Sequence, residues 1–146
     1  MKIAIGADHG GYRLKEALIK SLNKKDYKVK DFGTFSESSC DYPLIGYEVA
    51  KVVGAKKFSR AILICKTGIG MSMVANKVKG VRAALCHRID IARSSREHND
   101  SNVLVLAANI VSVRNAKKIL DVWLSTKHLG GRHARRVRQI REIERL

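Results

Sequence analysis

The sequence predicts one α/β domain, a three-layer αβα sandwich of Rossmann-like type. Its 146 residues are enough for one hydrophobic core. A hydrophobic content of 45% with a single proline is typical of a regular folded chain. Short apolar runs alternate about five times with longer segments of helical periodicity. We therefore predict a five-stranded parallel sheet with right-handed crossovers, in one domain spanning residues 1–146.

The first half of the chain predicts two strands and two helices. Residues 2–6 form a short apolar strand that ends in a turn-rich stretch. From Tyr12 onward apolar residues recur at helical spacing, and we expect lysines on the opposite, solvent-facing side. Residues 27–32 predict a second strand, followed by a polar loop, and Pro43 lies near the start of a second helix. The apolar positions of the first helix are Leu14, Ala17, Leu18 and Leu22.

The second half of the chain continues the alternation. Its clearest element is the uninterrupted apolar run at 60–65, which is typical of a strand covered on both faces. A glycine pair, Gly130-Gly131, then precedes a basic tail that predicts a C-terminal helix. Between the run and the tail we predict helices at 71–77, 89–98 and 111–124, and strands at 81–86 and 102–107.

Composition excludes several classes of protein. No apolar run approaches the roughly 20 residues that cross a bilayer, so we expect no membrane association. The N-terminus enters a strand pattern without a signal peptide, which favours a cytoplasmic location. Three cysteines without a Cys-x-x-Cys pair predict no disulfide, no metal site and no cofactor. The net charge of +16 suggests nucleic-acid binding, which we rank low because the extra charges are spread over several predicted helices and the basic tail has no interleaved aromatic residues.

The chemistry-bearing residues are expected beyond the carboxyl ends of the strands, where parallel sheets bind ligands. The segment from Cys65 to Gly70 would present backbone N–H groups and a helix N-terminus, which bind an anion and favour a thiolate. Taken alone, Cys65 is better explained as a small buried hydrophobe. Asp8 and His9 follow the first strand, where Asp8 is equally well explained as a helix cap.

Two further segments have a functional and a structural explanation. His98 and Asn99 close the fourth predicted helix, where capping alone accounts for them. Arg132 and Arg136 lie four residues apart in the basic tail, so they project from one helix face and can hold one phosphate. The other tail arginines are more simply a solvated face; they are Arg135, Arg138, Arg141 and Arg145.

Taken together, these segments resemble the type B ribose-5-phosphate isomerase family, which also includes galactose-6-phosphate and allose-6-phosphate isomerases. The resemblance covers nearly the whole chain and rests on many short motifs in the same order. They are Asp8-His9-Gly10-Gly11, Asp31-Phe32-Gly33-Thr34, Asp41-Tyr42-Pro43, Cys65 with Thr67-Gly68-Ile69-Gly70, Ala75-Asn76-Lys77, Gly80-Val81-Arg82-Ala83, Arg96-Glu97-His98-Asn99-Asp100, Asn102-Val103-Leu104 and Gly130-Gly131-Arg132-His133.

The resemblance implies a metal-independent interconversion of ribose 5-phosphate and ribulose 5-phosphate through a cis-enediolate. It implies that Cys65 is the base and that His98 opens the sugar ring. Thr67 and the N–H groups of residues 66–70, including Gly68, Ile69 and Gly70, would stabilise the enediolate. The implied substrate ligands are Asp8 and Asn99 on sugar hydroxyls, His9, Arg132 and Arg136 on the phosphate, and Tyr42 along the pocket wall. A homodimer or dimer of dimers with a site shared between subunits is also implied.

This sequence departs from the family pattern at two positions. Lys66 stands where the family usually has glycine, and a positive φ there would strain it by about 1 kcal/mol. Alternatively its ammonium would add charge near the oxyanion or close the pocket. Asn109 stands where an arginine commonly contributes to phosphate binding. These two departures leave a second interpretation open, namely a homologue that prefers a hexose 6-phosphate or has reduced activity.

Overall fold

Strands and helices alternate along the chain in the computed structural model, which describes residues 1–146. The strands are β1 (Lys2–Ala7), β2 (Lys28–Asp31), β3 (Arg60–Cys65), β4 (Ala83–Leu85) and β5 (Val103–Ala107). The helices are α1 (Tyr12–Lys24), α2 (Tyr42–Gly54), α3 (Ile69–Asn76), α4 (Ile89–Glu97), α5 (Val113–Ser125) and α6 (Gly131–Ile143). None of these helices is both long and apolar enough to cross a membrane.

The five strands form one parallel sheet in the order β2-β1-β3-β5-β4. The chain leaves β1 toward β2 on one side and returns to place β3 on the other side. Strand order therefore reverses between β1 and β3, and a crevice opens there beyond the carboxyl ends of the strands. The predicted three-layer, Rossmann-like α/β fold with a C-terminal helix is confirmed.

Alternation along the strands divides the core into two apolar clusters. In β3, Ile62 and Ile64 face α1 and α5, while Leu63 and Cys65 face α2 and α3. Both faces are covered because helices lie on both sides of the sheet, which is why β3 is apolar at nearly every position. Cys65 is consequently the last residue of a buried strand and only 5% exposed.

Several predicted boundaries differ from the observed ones. The strand predicted at 81–86 is paired only over Ala83–Leu85, at the edge of the sheet. The helix predicted at 71–77 begins two residues earlier, at Ile69, because Gly68 makes the turn with φ 75°. Helix α5 begins at Val113, since the Ser112 hydroxyl caps it by accepting the N–H of Asn115 at 3.1 Å.

One lysine lies inside the protein, contrary to the prediction that the α1 lysines face solvent. Lys15 is fully buried, and its Nζ lies 2.6 Å from Asp31 Oδ2 and 2.8 Å from Glu16 Oε1. The aromatic rings of Tyr12 and Phe35 lie within 5.5 Å of the ammonium. A buried charge needs such partners, and here Lys15 joins α1 to the end of β2.

Helix α6 lies on the surface and buries a single residue, Val137. At its far end Glu144 Oε1 accepts the N–H of Gly80 at 2.9 Å. Before its first turn, the N–H of Leu129 donates to the carbonyl of Glu97 at 3.1 Å. These contacts fix the start of α6 beside the end of α4, so the basic tail is part of the fold rather than a free arm.

Candidate active site

A crevice of about 450 Å³ lies beyond the carboxyl ends of β1 and β3. Its walls come from the turn after β1, the loop after β3, and the first turns of α2 and α3. Eight of the sequence-predicted site residues line it, together with Met73: Asp8, His9, Tyr42, Cys65, Lys66, Thr67, Ile69 and Gly70. The fold therefore brings together residues that are up to 62 positions apart in the chain.

The loop after β3 surrounds the sulfur of Cys65 with polar groups. The N–H of Gly68 donates to Cys65 Sγ at 3.1 Å, and the N–H of Ile69 donates to the Thr67 hydroxyl at 3.3 Å. The N–H groups of the first turn of α3 have no intrahelical acceptor, and Gly70 borders the crevice. This arrangement can stabilise negative charge on a ligand oxygen beside the sulfur.

The turn after β1 holds Asp8 and His9 in defined positions. Asp8 is 6% exposed, and its Oδ1 accepts the N–H of Gly11 at 3.1 Å. Gly11, not Asp8, is the N-cap of α1, and the Asp8 carboxylate holds the turn that leads into the helix. The backbone N–H of Cys40 donates to His9 Nδ1 at 3.2 Å. Because Nδ1 then accepts, the proton of a neutral His9 lies on Nε2, which is free to donate to a ligand.

Lys66 occupies the crevice wall without backbone strain. Positive φ values among non-glycine residues are confined to Asp26, Lys56 and Asp100, so the condition under which Lys66 would be strained is not met. Its aliphatic chain crosses Gly10, where an added methyl group would collide with Lys66 Cγ and lie 3.0 Å from Cε. The lysine therefore fits because residue 10 has no side chain.

Asn109 and Tyr42 are placed beside the same loop in different ways. The N–H of Asn109 donates to the Lys66 carbonyl at 3.0 Å, but the exposed Asn109 side chain does not line the crevice. The Tyr42 ring packs over Gly70, whose added Cβ would lie 2.5 Å from Tyr42 Cζ. Tyr42 thus lines the crevice, as the resemblance implied, and Gly70 makes room for it.

The remaining predicted residues form a second group around the junction of α4 and α6. His98 is the C-cap of α4, and its ring stacks on His133 of α6 with centroids 4.3 Å apart. Arg132 and Arg136 are exposed on the same helix as His133. Desolvation lowers the pKa of His133, and electrostatic interactions with His98, Arg132 and Arg136 lower it further. Such a cationic group is suited to a phosphate dianion.

The two groups lie at opposite ends of the sheet. Cys65 pairs with Ala107 at the carboxyl end of β5, whereas Ala61 pairs with Val103 at its amino end. Helix α4 runs back from the end of β4, so His98 lies at the amino edge, shortly before Val103. The length of β5 alone separates these edges by about 13 Å. One chain therefore does not bring Cys65 together with His98, Asn99, Arg132 or Arg136.

Three contacts were not predicted from the sequence. Cys40 orients His9 through its backbone, Met73 lines the crevice, and His133 stacks on His98. Of these residues, only His133 could have been found from the sequence, because it belongs to the Gly130-Gly131-Arg132-His133 motif. Nowhere in residues 1–146 do three or more His, Cys, Asp or Glu side chains converge in a way that could hold a metal ion.

Comparison with known proteins gives a consistent result. A model described as Ribose/Galactose Isomerase matches residues 3–140. Ribose-5-phosphate isomerase B of Escherichia coli (strain K12) is 43% identical over 143 residues, which cover 98% of this chain and 96% of that protein. The solved ribose-5-phosphate isomerase B of Clostridium thermocellum has a TM-score of 0.97 and 50% identity, covering 99% of this chain and 98% of that one.

A further solved structure contains a sugar phosphate. Ribose-5-phosphate isomerase B of Mycoplasma genitalium, with bound ribulose-5-phosphate, has a TM-score of 0.95 and 38% identity. It covers 99% of this chain, and this chain covers 96% of it. With a family model over almost the whole sequence and relatives well above 30% identity along their full length, the chain belongs to the ribose/galactose isomerase family.

Proposed function

We propose that the chain interconverts ribose 5-phosphate and ribulose 5-phosphate, with Cys65 as the base that moves a proton between C2 and C1. Membership of the family makes the chain an isomerase; the substrate and the residue roles are the proposal. The observation that carries it is the position of Cys65 Sγ, at the wall of a crevice and 3.1 Å from the amide of Gly68.

The reaction conserves atoms and electrons within the substrate. In the open-chain aldose the Cys65 thiolate removes the proton from C2, a C1–C2 double bond forms, and the carbonyl electrons move to O1. The resulting cis-enediolate places negative charge beside Thr67 and the N–H groups of residues 66–70. Cys65 then returns the proton to C1 while the proton on O2 passes to O1, so that O1 becomes a hydroxyl and O2 the carbonyl. No cofactor is needed because oxidation at C2 balances reduction at C1.

Binding of the substrate draws on both groups of residues. His9, with its proton on Nε2, would donate to the phosphate, and Asp8 would accept from a sugar hydroxyl. Arg132 and Arg136 would hold the phosphate, Asn99 a hydroxyl, and His98 would act as the acid–base group that opens the ring. Because these four residues lie at the other end of the sheet, they would come from a second copy of the chain.

Exposed apolar side chains support such a second copy. Ile69 and Met73 of α3 are 51% and 63% exposed beside the crevice, and Ile140 and Ile143 of α6 are also exposed. Burying these faces against each other would bring the α6 arginines of one copy to the crevice of the other. A homodimer is the smallest assembly that completes two such sites.

The experiment that tests the proposal follows ribulose 5-phosphate formation from ribose 5-phosphate by wild type, Cys65→Ala and Cys65→Ser. Loss of a general base should lower kcat by about a thousandfold. The matched control is Cys86→Ala, which removes a buried thiol outside the crevice. Turnover by Cys65→Ala at the wild-type rate would reject Cys65 as the base, and no turnover by wild type would reject the substrate.

Lys66 supports a second candidate, a preference for a hexose 6-phosphate or a reduced rate. Its exposed side chain lines the crevice and adds a positive charge beside Cys65. A panel of ribose 5-phosphate, galactose 6-phosphate and allose 6-phosphate, assayed with wild type and Lys66→Gly, distinguishes the two. A higher kcat/KM of Lys66→Gly for ribose 5-phosphate, with wild type favouring a hexose, supports the second candidate. The same order of substrates in both proteins contradicts it.

A further inference from the structure

A second and larger cavity, of about 560 Å³, opens at the amino edge of the sheet. Its walls come from the end of α2 and the turn after it, the starts of β3 and β4, the turn after α4, and the last turn of α6. Only two of its 14 lining residues are hydrophobic. Six cationic side chains line it against two carboxylates, an excess of four positive charges: Lys56, Arg60, Lys79, Arg82, Arg141 and Arg145 against Asp100 and Glu144.

Both carboxylates are already engaged by the fold. Asp100 accepts from Arg82 at 3.1 Å and from Arg96 at 2.9 Å. Glu144 accepts the N–H of Gly80 at 2.9 Å. Arg141 reaches Asp100 only at 3.9 Å, and Arg60 has no carboxylate within ion-pair distance. The cavity therefore contains cations that the protein itself does not neutralise.

Arg60 is the most unusual of these cations. Among all buried side-chain nitrogens and oxygens, only its Nε lacks a hydrogen-bond partner. Its Nη1 donates to the Ser59 carbonyl at 3.2 Å, and the guanidinium lies 5.6 Å from the ring centroid of Trp123. Burial lowers the pKa of Arg60, and the neighbouring charge of Arg96 lowers it further. A half-buried cation in this state gains most from an anion in the adjoining cavity.

We propose that this cavity is a second anion-binding site, which takes a small phosphorylated molecule with its phosphate between Arg60 and Arg141. Guanidinium groups match phosphate oxygens in pairs, and arginine predominates among the cations here. The volume exceeds that of a single phosphate, and the polar lining suits the hydroxyl groups of an attached sugar. A nucleic-acid strand fits poorly, because Phe58 is the sole aromatic residue of the lining and is 7% exposed.

Trp123 provides a reporter for this cavity. It is the single tryptophan of the chain, fully buried under Arg60 and distant from Cys65. The Cys65→Ala variant is titrated with inorganic phosphate, ribose 5-phosphate and adenosine diphosphate, with sodium chloride keeping the ionic strength constant. We expect a saturable change in tryptophan emission, and the tightest of the three ligands identifies the source of the phosphate. A response that chloride reproduces, or one to an oligonucleotide alone, overturns the proposal.

Charge variants assign the response to the cavity. Arg60→Gln and the double variant Arg141→Gln with Arg145→Gln should each weaken binding by about tenfold or more. The double variant changes exposed side chains, so it stays informative if Arg60→Gln fails to fold. Arg138→Gln removes a charge from α6 outside the cavity and should bind like the parent. Equal affinity in the double variant and in Arg138→Gln would overturn the proposal, whatever the outcome for isomerase activity.

Discussion

Mixed dimers assembled from two inactive variants should recover activity, because Cys65 and His98 lie at opposite ends of one sheet. Cys65→Ala removes the proposed base from one edge, and His98→Ala removes the proposed ring-opening group from the other. In a dimer with shared sites, one chain of each kind restores one site with both residues and leaves one site with neither. Pure mixed dimers, obtained by co-expression with two affinity tags, should therefore have about one half of the wild-type kcat per dimer.

The control for this experiment uses two variants from the same edge. Cys65→Ala combined with Asp8→Ala leaves every site with one defect, so the mixed dimer should stay as inactive as either parent. The assay is formation of ribulose 5-phosphate from saturating ribose 5-phosphate. Activity of the Cys65→Ala and His98→Ala mixed dimer no greater than the sum of its parents would refute the reasoning from sheet geometry.

Three further predictions concern residues outside the proposed proton transfer. Gly10→Ala should raise KM in the wild-type background but not beside Lys66→Gly, with a coupling energy of about 1 kcal/mol in a double-mutant cycle. Lys15→Met should lower the free energy of unfolding in urea by about 2–3 kcal/mol, since the Asp31 carboxylate loses its partner but is partly exposed. Burial raises the pKa of Cys86 to about 11, so iodoacetamide at pH 8 should leave that thiol unmodified in the native protein.

Each of these predictions has a control and a contradicting result. Additive effects of Gly10→Ala and Lys66→Gly would show that the two residues do not interfere. Lys51→Met breaks the exposed pair with Glu48 and should leave the free energy of unfolding almost unchanged; an equally small loss for Lys15→Met would contradict the argument from burial. Intact mass should show no more than two labels natively and three after unfolding, and a third native label would contradict the prediction for Cys86.

The fold followed from the sequence because its strongest signals are local and agree with one another. The apolar run of β3 and the helical periodicity of α1 were enough to predict two covered faces of a parallel sheet. The range predicted for the edge strand β4 was too long, since an apolar run does not reveal how many of its residues find a hydrogen-bonding partner. The predicted exposure of Lys15 was wrong because helical periodicity assigns a lysine to the solvent-facing side and does not detect the carboxylate of Asp31 on another element.

The site was predictable to the extent that it follows strand ends. Asp8 and Cys65 could be assigned to one crevice because parallel strands end at the same edge. The contact of Cys40 with His9 comes from a backbone N–H, which almost any residue at position 40 could supply, so the sequence does not indicate it. The cavity around Arg60 was missed for a different reason: its cations come from four separate elements, and each of them alone looks like part of a solvated surface.

The contact between Lys66 and Gly10 also determines where the Lys66 side chain can lie in the crevice. A lysine lies in this position only when residue 10 lacks a side chain, because any Cβ there would overlap its aliphatic carbons. With any other residue at position 10, the exposed Lys66 side chain would have to leave the wall and extend into solvent. Once the lysine is in place, the glycine cannot be replaced without moving it. A substitution in the loop after β1 would therefore move a positive charge in the loop after β3, although the two loops are distant in sequence.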